Sequence, residues 1–138
     1  MDNPLLAKSL VLMGRLLLGL YFLVHGISKI TGFDATATYM TTHGMMGVPF
    51  FLVLTIVLQV GGGVLVIIGR WLKPTAFVLA GLVLVISVMM HDFWNVYEGV
   101  DQGHETQNFI KNLAIMAGLM VLAGADTSTR WRDLFKRA

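Results

Sequence analysis

The chain has 138 residues, of which 56% are apolar, only 13% are charged and none is cysteine. About a quarter of residues are charged in water-soluble domains, so a soluble domain is excluded, and the missing cysteines exclude disulfides, thiolate metal sites and thiol redox chemistry. A net charge of +2 is too small to argue for a nucleic-acid partner, so the placement of charge matters more than its sum.

Four apolar runs occupy residues 9–28, 50–69, 74–91 and 108–125. A helix needs about 20 apolar residues to cross a bilayer. The first two runs reach that length, and the last two need their polar ends, His91 and Asn108–Asn112, at an interface. In lipid the backbone must satisfy its own hydrogen bonds, which leaves helices or a closed barrel. No period-two alternation is present, so the barrel is rejected. The expected fold is a single all-α domain over residues 1–138, an integral membrane four-helix bundle. The first run is not a cleavable signal: it is too long, contains Arg15, and has no small-residue cleavage pattern between Ser28 and Lys29. Between the first and second runs, Phe33–Thr42 is predicted as a short helix on the outer surface. Asp34 would cap it and Gly44 would stop it. The link from Arg70 to Pro74 reads as a tight turn with Pro74 at the first position of the next helix. Trp71 belongs at one interface, with Trp131, and Phe93, Trp94 and Tyr97 at the other.

Charge sets the orientation. Lys8, Arg70, Lys73, Arg130, Arg132, Lys136 and Arg137 are seven of the ten Lys and Arg residues, and four spans put them on one side. The opposite side has Lys29 and Lys111 and the acids Asp34, Asp92, Glu98, Asp101 and Glu105. The positive-inside rule then makes both termini cytoplasmic.

Ionisable groups within membrane helices are costly and mark functional candidates. Arg15 lies ~9 Å into the first span, and Gln59 is near the middle of the second. They form a candidate buried polar pair; alternatively, Arg15 snorkels to the headgroups and Gln59 bonds a neighbouring helix. Tyr21, His25 and Lys29 share a helix face, as do Ser87, His91 and Asn95, and Asn108, Lys111 and Asn112. His25 and His91 fall at nearly equal depth. A candidate outer polar pocket therefore comprises His25, Lys29, His91, Asn95, Asn108, Lys111 and Asn112. The first reading of it is an interhelical network that fixes helix register. A second is a site for a quinone or another lipid-soluble ligand, which needs an apolar slot and one or two donors. Histidines can ligate haem iron or other metals, but no His-x-x-x-His or His-x-x-Glu-His spacing occurs, so haem and metal are not expected. Met40, Met45 and Met46 read as soft packing. Gly61–Gly63 and the pair Ala114 and Gly118 read as close-packing surfaces.

Several of these residues recur in a recognisable order. Arg15, Gly19, His25, Gly26, Lys29 and Gly32 come first, then Tyr39, Gly44 and Gly47-Val-Pro49. Gly61–Gly63 and Gly69, Met90-His-Asp-Phe-Trp94, and Gln107 through Gly118 follow. Over about residues 10–125 this order resembles the DoxX family of small bacterial inner-membrane proteins. Family members often carry Glu where this chain has Gln59, so an ion pair with Arg15 is not available here; the C-terminal tail is also more basic than usual. The family takes its name from a membrane subunit of a thiosulfate:quinone oxidoreductase, and other members occur in oxidative-stress or thiol-redox assemblies. The resemblance implies an inner-membrane subunit of a quinone-linked redox system, partnered by the bilayer and by redox-complex subunits or further copies of itself. The alternative is a non-catalytic anchor or scaffold whose polar cluster is structural. No catalytic residue is assigned.

Overall fold

The computed structural model describes residues 3–125 and 129–136, so Arg137 of the predicted basic tail lies outside the described residues. The fold is all-α, with no strand among the described residues. In order come α1 (Pro4–Thr31), α2 (Phe33–Thr42), α3 (Val48–Ile68), α4 (Leu72–Met90), α5 (Gln102–Gly124) and a 3₁₀ turn (Trp131–Leu134). Three of these, α1, α3 and α4, are long and apolar enough to cross a membrane. α5 has the length, but His104, Glu105 and Lys111 in its first half lower its hydropathy.

Capping explains where the helices exceed the apolar runs. Asn3 Oδ1 accepts from the Leu5 and Leu6 amides at 3.1 and 3.3 Å, and Pro4 suits the first turn. α1 thus begins well ahead of residue 9. Asp101 Oδ1 accepts from the His104 amide at 3.1 Å and starts α5 at Gln102 rather than near 108. That earlier start draws Glu105 into a helix. α2 spans the predicted residues, but its cap is Gly32; Asp34 falls inside the first turn, where its charge faces the helix dipole. α4 opens at Leu72, so Pro74 is its third residue and not its first. Trp71 precedes it in the left-handed region at φ 47°, with the Arg70 guanidinium 4.7 Å over its ring.

α1 and α3 pack antiparallel at very close range. A Cβ on Gly19 would lie 2.7 Å from the Gly63 carbonyl oxygen, and a Cβ on Gly63 equally close to that of Gly19. Farther along, Gly26 backs onto Gln59 and Val60. The three consecutive glycines do different work: Gly63 meets α1, Gly62 meets Leu79 of α4, and Gly61 faces open space. Gly118 makes only ordinary contact with Leu18, and Ala114 is exposed, so that pair is not a close-packing surface. Phe22, Val66, Leu79, Val83 and Leu119 form one core drawn from α1, α3, α4 and α5. Met40, Val48, Leu52 and Met90 form a second, which seats α2; Met45 packs against it, while Met46 is exposed. Leu10, Leu17 and Val24 of α1, Phe77 of α4 and Val121 of α5 point outward, a distribution suited to lipid.

Candidate functional site

At the histidine-bearing end, where α1 finishes and α5 begins, the helices line a partly open cavity of ≈ 470 Å³. α1 contributes Tyr21, His25 and Lys29, and α3 contributes Gln59. His91 comes from the end of α4, and α5 adds His104, Asn108, Lys111 and Asn112. Phe22, Val83, Ile86 and Ile115 supply apolar wall. The structure therefore brings His25, Lys29, His91, Asn108, Lys111 and Asn112 around one space. It does not bring Asn95 there. α4 stops at Met90, His91 is its C-cap, and the helical spacing that would carry Asn95 onto the face of His91 ends with it. Asn95 Nδ2 donates instead to Asp92 Oδ2 at 2.8 Å. The lining residues also bond locally: Tyr21 OH lies 3.5 Å from Asn112 Oδ1, and His25 Nδ1 lies 2.8 Å from the Tyr21 carbonyl. A second, mainly apolar cavity of ≈ 480 Å³ runs between α3 and α4, walled by Leu58, Val78, Leu82, Val85 and Met89. The two cavities share Lys29, Ile86 and His91.

Two carboxylates absent from the predicted pocket organise this end. Glu105 is only 5% exposed. Its Oε2 lies 2.6 Å from His91 Nδ1, and its Oε1 accepts from the Tyr39 hydroxyl, which also lies 3.0 Å from the Met90 carbonyl. Burial raises the Tyr39 pKa well above the ordinary phenol value, and its bond to Glu105 and the charges of Glu105 and Asp92 add to the rise. Asp92 is buried against the aromatic loop, where its Oδ2 accepts from Tyr97 OH at 2.5 Å. Its burial opposes ionisation. The hydrogen bonds from Asn95 and Tyr97 and the proximity of His43 outweigh that, and the carboxyl sits below its usual pKa. Tyr97 is raised in turn, chiefly by its bond to Asp92. His43 Nε2 and Asp92 Oδ1 face each other at 3.7 Å, beyond hydrogen-bond length, and neither has a hydrogen-bond partner among the described residues. His43 is itself packed between the Tyr39 and Tyr97 rings.

Arg15 and Gln59 do not meet. Arg15 is 1% exposed, and its guanidinium turns toward the C-terminal end of α3. Nε donates to the Val66 carbonyl at 3.1 Å, Nη2 to Ile67 at 3.0 Å and Nη1 to Thr129 at 2.6 Å. The last carbonyls of a helix lack backbone donors and carry the negative end of its dipole, so they draw the cation. Gly69, at φ 75°, leaves the room: a Cβ there would lie 2.1 Å from Arg15 Nη2. Trp131 Nε1 adds a donor to Ile67 at 2.9 Å at the end of α3. Gln59 sits eight residues back along α3, or ~12 Å. It lines the histidine-bearing cavity, with its buried Oε1 lacking a partner among the described residues.

Chemically, the cavity offers ammonium, imidazole and amide groups against apolar walls. It suits an electron-rich or anionic polar head better than a cation. Among the described residues no three His, Asp or Glu side chains are grouped to hold a metal ion.

The DoxX family model matches residues 10–92, ending just before α5. The chain is 37% identical over 113 residues to the inner membrane protein YqjF of Escherichia coli (strain K12), covering 82% of this chain and 81% of that protein. It is 29% identical over 114 residues to the inner membrane protein YphA of the same organism, covering 83% of this chain and 81% of that protein. No solved structure matches it.

Proposed function

Because this chain belongs to the DoxX family and is a multi-pass protein of the bacterial inner membrane, we propose that it is a membrane subunit of a quinone-linked redox system. The histidine-bearing cavity would hold the quinone ring. One observation carries this: a cavity lined by polar side chains and a mainly apolar one share the wall residues Lys29, Ile86 and His91, an arrangement that fits a ring with two oxygens and a hydrocarbon tail. Lys29 and Asn112 supply donors for ring carbonyls, and the unpartnered Gln59 Oε1 accepts from a ring hydroxyl. The chain has no cysteine to exchange electrons through a thiol, so electrons would come from a partner subunit.

In the same proposal α5 is the fourth span and both termini are cytoplasmic. Glu105 of α5 meets His91 at one end of the molecule, and Thr129 beyond it meets Arg15 at the other, which supports a full crossing. The basic residues Lys8, Arg70, Lys73, Arg130, Arg132 and Lys136 favour the cytoplasm for the Arg15 end.

The test is photo-crosslinking of the full chain in lipid nanodiscs with a short-tailed azidoquinone. Saturable labelling of α1, α4 and α5 around the cavity is expected, lost in the double variant K29M/N112L. No saturable labelling of wild type overturns the quinone site and leaves a scaffold whose polar cluster fixes helix register.

A further inference from the structure

We propose that the Glu105–His91 pair is the proton acceptor of the cavity, taking the proton of a ring hydroxyl bound there. This rests on the cavity being a ring site. Among the described residues, His91 is the cavity-lining histidine with a carboxylate partner, at 2.6 Å. A buried carboxylate is costly unless it is paired and hydrogen-bonded. Glu105 meets both conditions by spending one oxygen on His91 and the other on Tyr39. An ionised Glu105 fixes the neutral imidazole with its proton on Nδ1. Nε2 then remains as a lone pair on a ring that borders both cavities.

Proton transfer breaks the O–H bond of the ring and forms an N–H bond at His91 Nε2; no electrons change hands. The imidazolium is neutralised by Glu105. The ring oxyanion is left facing Lys29 from α1 and Lys111 from α5. The other titratable groups nearby act differently. His25 directs Nδ1 to the Tyr21 carbonyl, His104 is exposed, and Tyr39 from α2 donates to Glu105 and is raised out of the working range. Asp92 faces His43 and Tyr97 rather than the cavity. Glu105 is a positioning residue that acts through His91.

The test uses the full chain in nanodiscs and a nitrophenol of quinone size, neutral in solution at the assay pH and coloured when ionised. Wild type should bind it as the coloured phenolate, with no net proton release, because the proton stays on His91. Calorimetry in two buffers of different ionisation enthalpy measures that balance. In E105Q, which keeps an acceptor for Tyr39, colour per bound probe should fall about tenfold or more, as expected for the loss of one close opposite charge. H91N should lose it likewise. A bound probe that is colourless in wild type, a phenolate formed with about one proton released to solvent, or undiminished colour in E105Q would each overturn the proposal. Normal quinone labelling with a colourless phenol removes the proton acceptor alone, whereas no saturable binding of either probe removes the ring site as well.

Discussion

Arg15→Met tests the buried charge at the far end of the molecule. The change keeps the side chain's apolar length and removes three donors. Val66 and Ile67 belong to the last turn of α3, where the backbone donors of Gly69 and Arg70 both go to Leu65. Ile67 keeps the Trp131 indole as a donor, so the substitution strands the Val66 and Thr129 carbonyls. The buried Val66 carbonyl costs ~1–3 kcal/mol when stranded and the half-buried Thr129 carbonyl less, for a gross loss of about 2–4 kcal/mol. Relief of the guanidinium's own desolvation offsets part of it, and we expect a net loss of about 1–3 kcal/mol. Unfolding in mixed detergent micelles measures the loss. Arg15 Nη1 also tethers Thr129, so trypsin should cut at Arg130 and Arg132 faster in the variant. Arg15→Lys should recover little, because one ammonium cannot reach three divergent carbonyls. A variant within about 0.5 kcal/mol of wild type and no faster cleavage would refute this account.

Further changes probe the rest of the fold. Gly63→Val forces α1 away from α3 and should destabilise by ~1–3 kcal/mol or more, whereas Gly61→Ala meets nothing and should be neutral or stabilising by up to ~1 kcal/mol in the same unfolding assay. Gln59→Glu buries a carboxylate that Arg15 does not reach and should lower the melting temperature; an unchanged melt would show that it pairs with Lys29 or Lys111 across the cavity. Asp92 has a folded pKa below its unfolded value, so its stabilisation is present above about pH 4 and is lost as pH falls through the folded value. Asp92→Asn should flatten that acid limb of stability against pH, and an unaltered limb counts against the network. Reporter fusions after Arg70 should read cytoplasm and one near Gly103 periplasm; the reverse pattern would sink the four-span orientation.

The features legible in the sequence were those fixed by periodicity inside uninterrupted helices. Lipid forces long apolar helices, so the runs announced α1, α3 and α4. On α1 the spacing of Tyr21, His25 and Lys29 is enough to place them on one wall, as it is for Asn108, Lys111 and Asn112 on α5. The same logic failed at Asn95 because the helix had already ended. Glu105 was missed because the apolar run near residue 108 made it look like a loop charge. The available signal was Asp101, a good N-cap, followed by Glu105 three residues before Asn108 and seven before Asn112 on one face. Asp92, Tyr39 and His43 meet through a loop and a surface helix, which no single-helix periodicity can register. The pairing of Arg15 with Gln59 fails because depth counting carries a side chain toward the membrane centre, while the orphan carbonyls of α3 lie the other way, in the direction of the snorkelling alternative.

The two ends of the protein satisfy buried charge by independent means. Arg15 donates to three main-chain carbonyls and has no acidic partner among the described residues. Glu105 is satisfied by His91 and Tyr39 and needs no arginine. A residue at position 59 is therefore free of any duty to Arg15, and its side chain belongs to the other end, on the cavity wall. Gln59 sets a neutral amide into the wall of a cavity that Lys29 and Lys111 also line. The residue at this position thus bears on what the cavity can hold and leaves the anchoring of Arg15 unchanged.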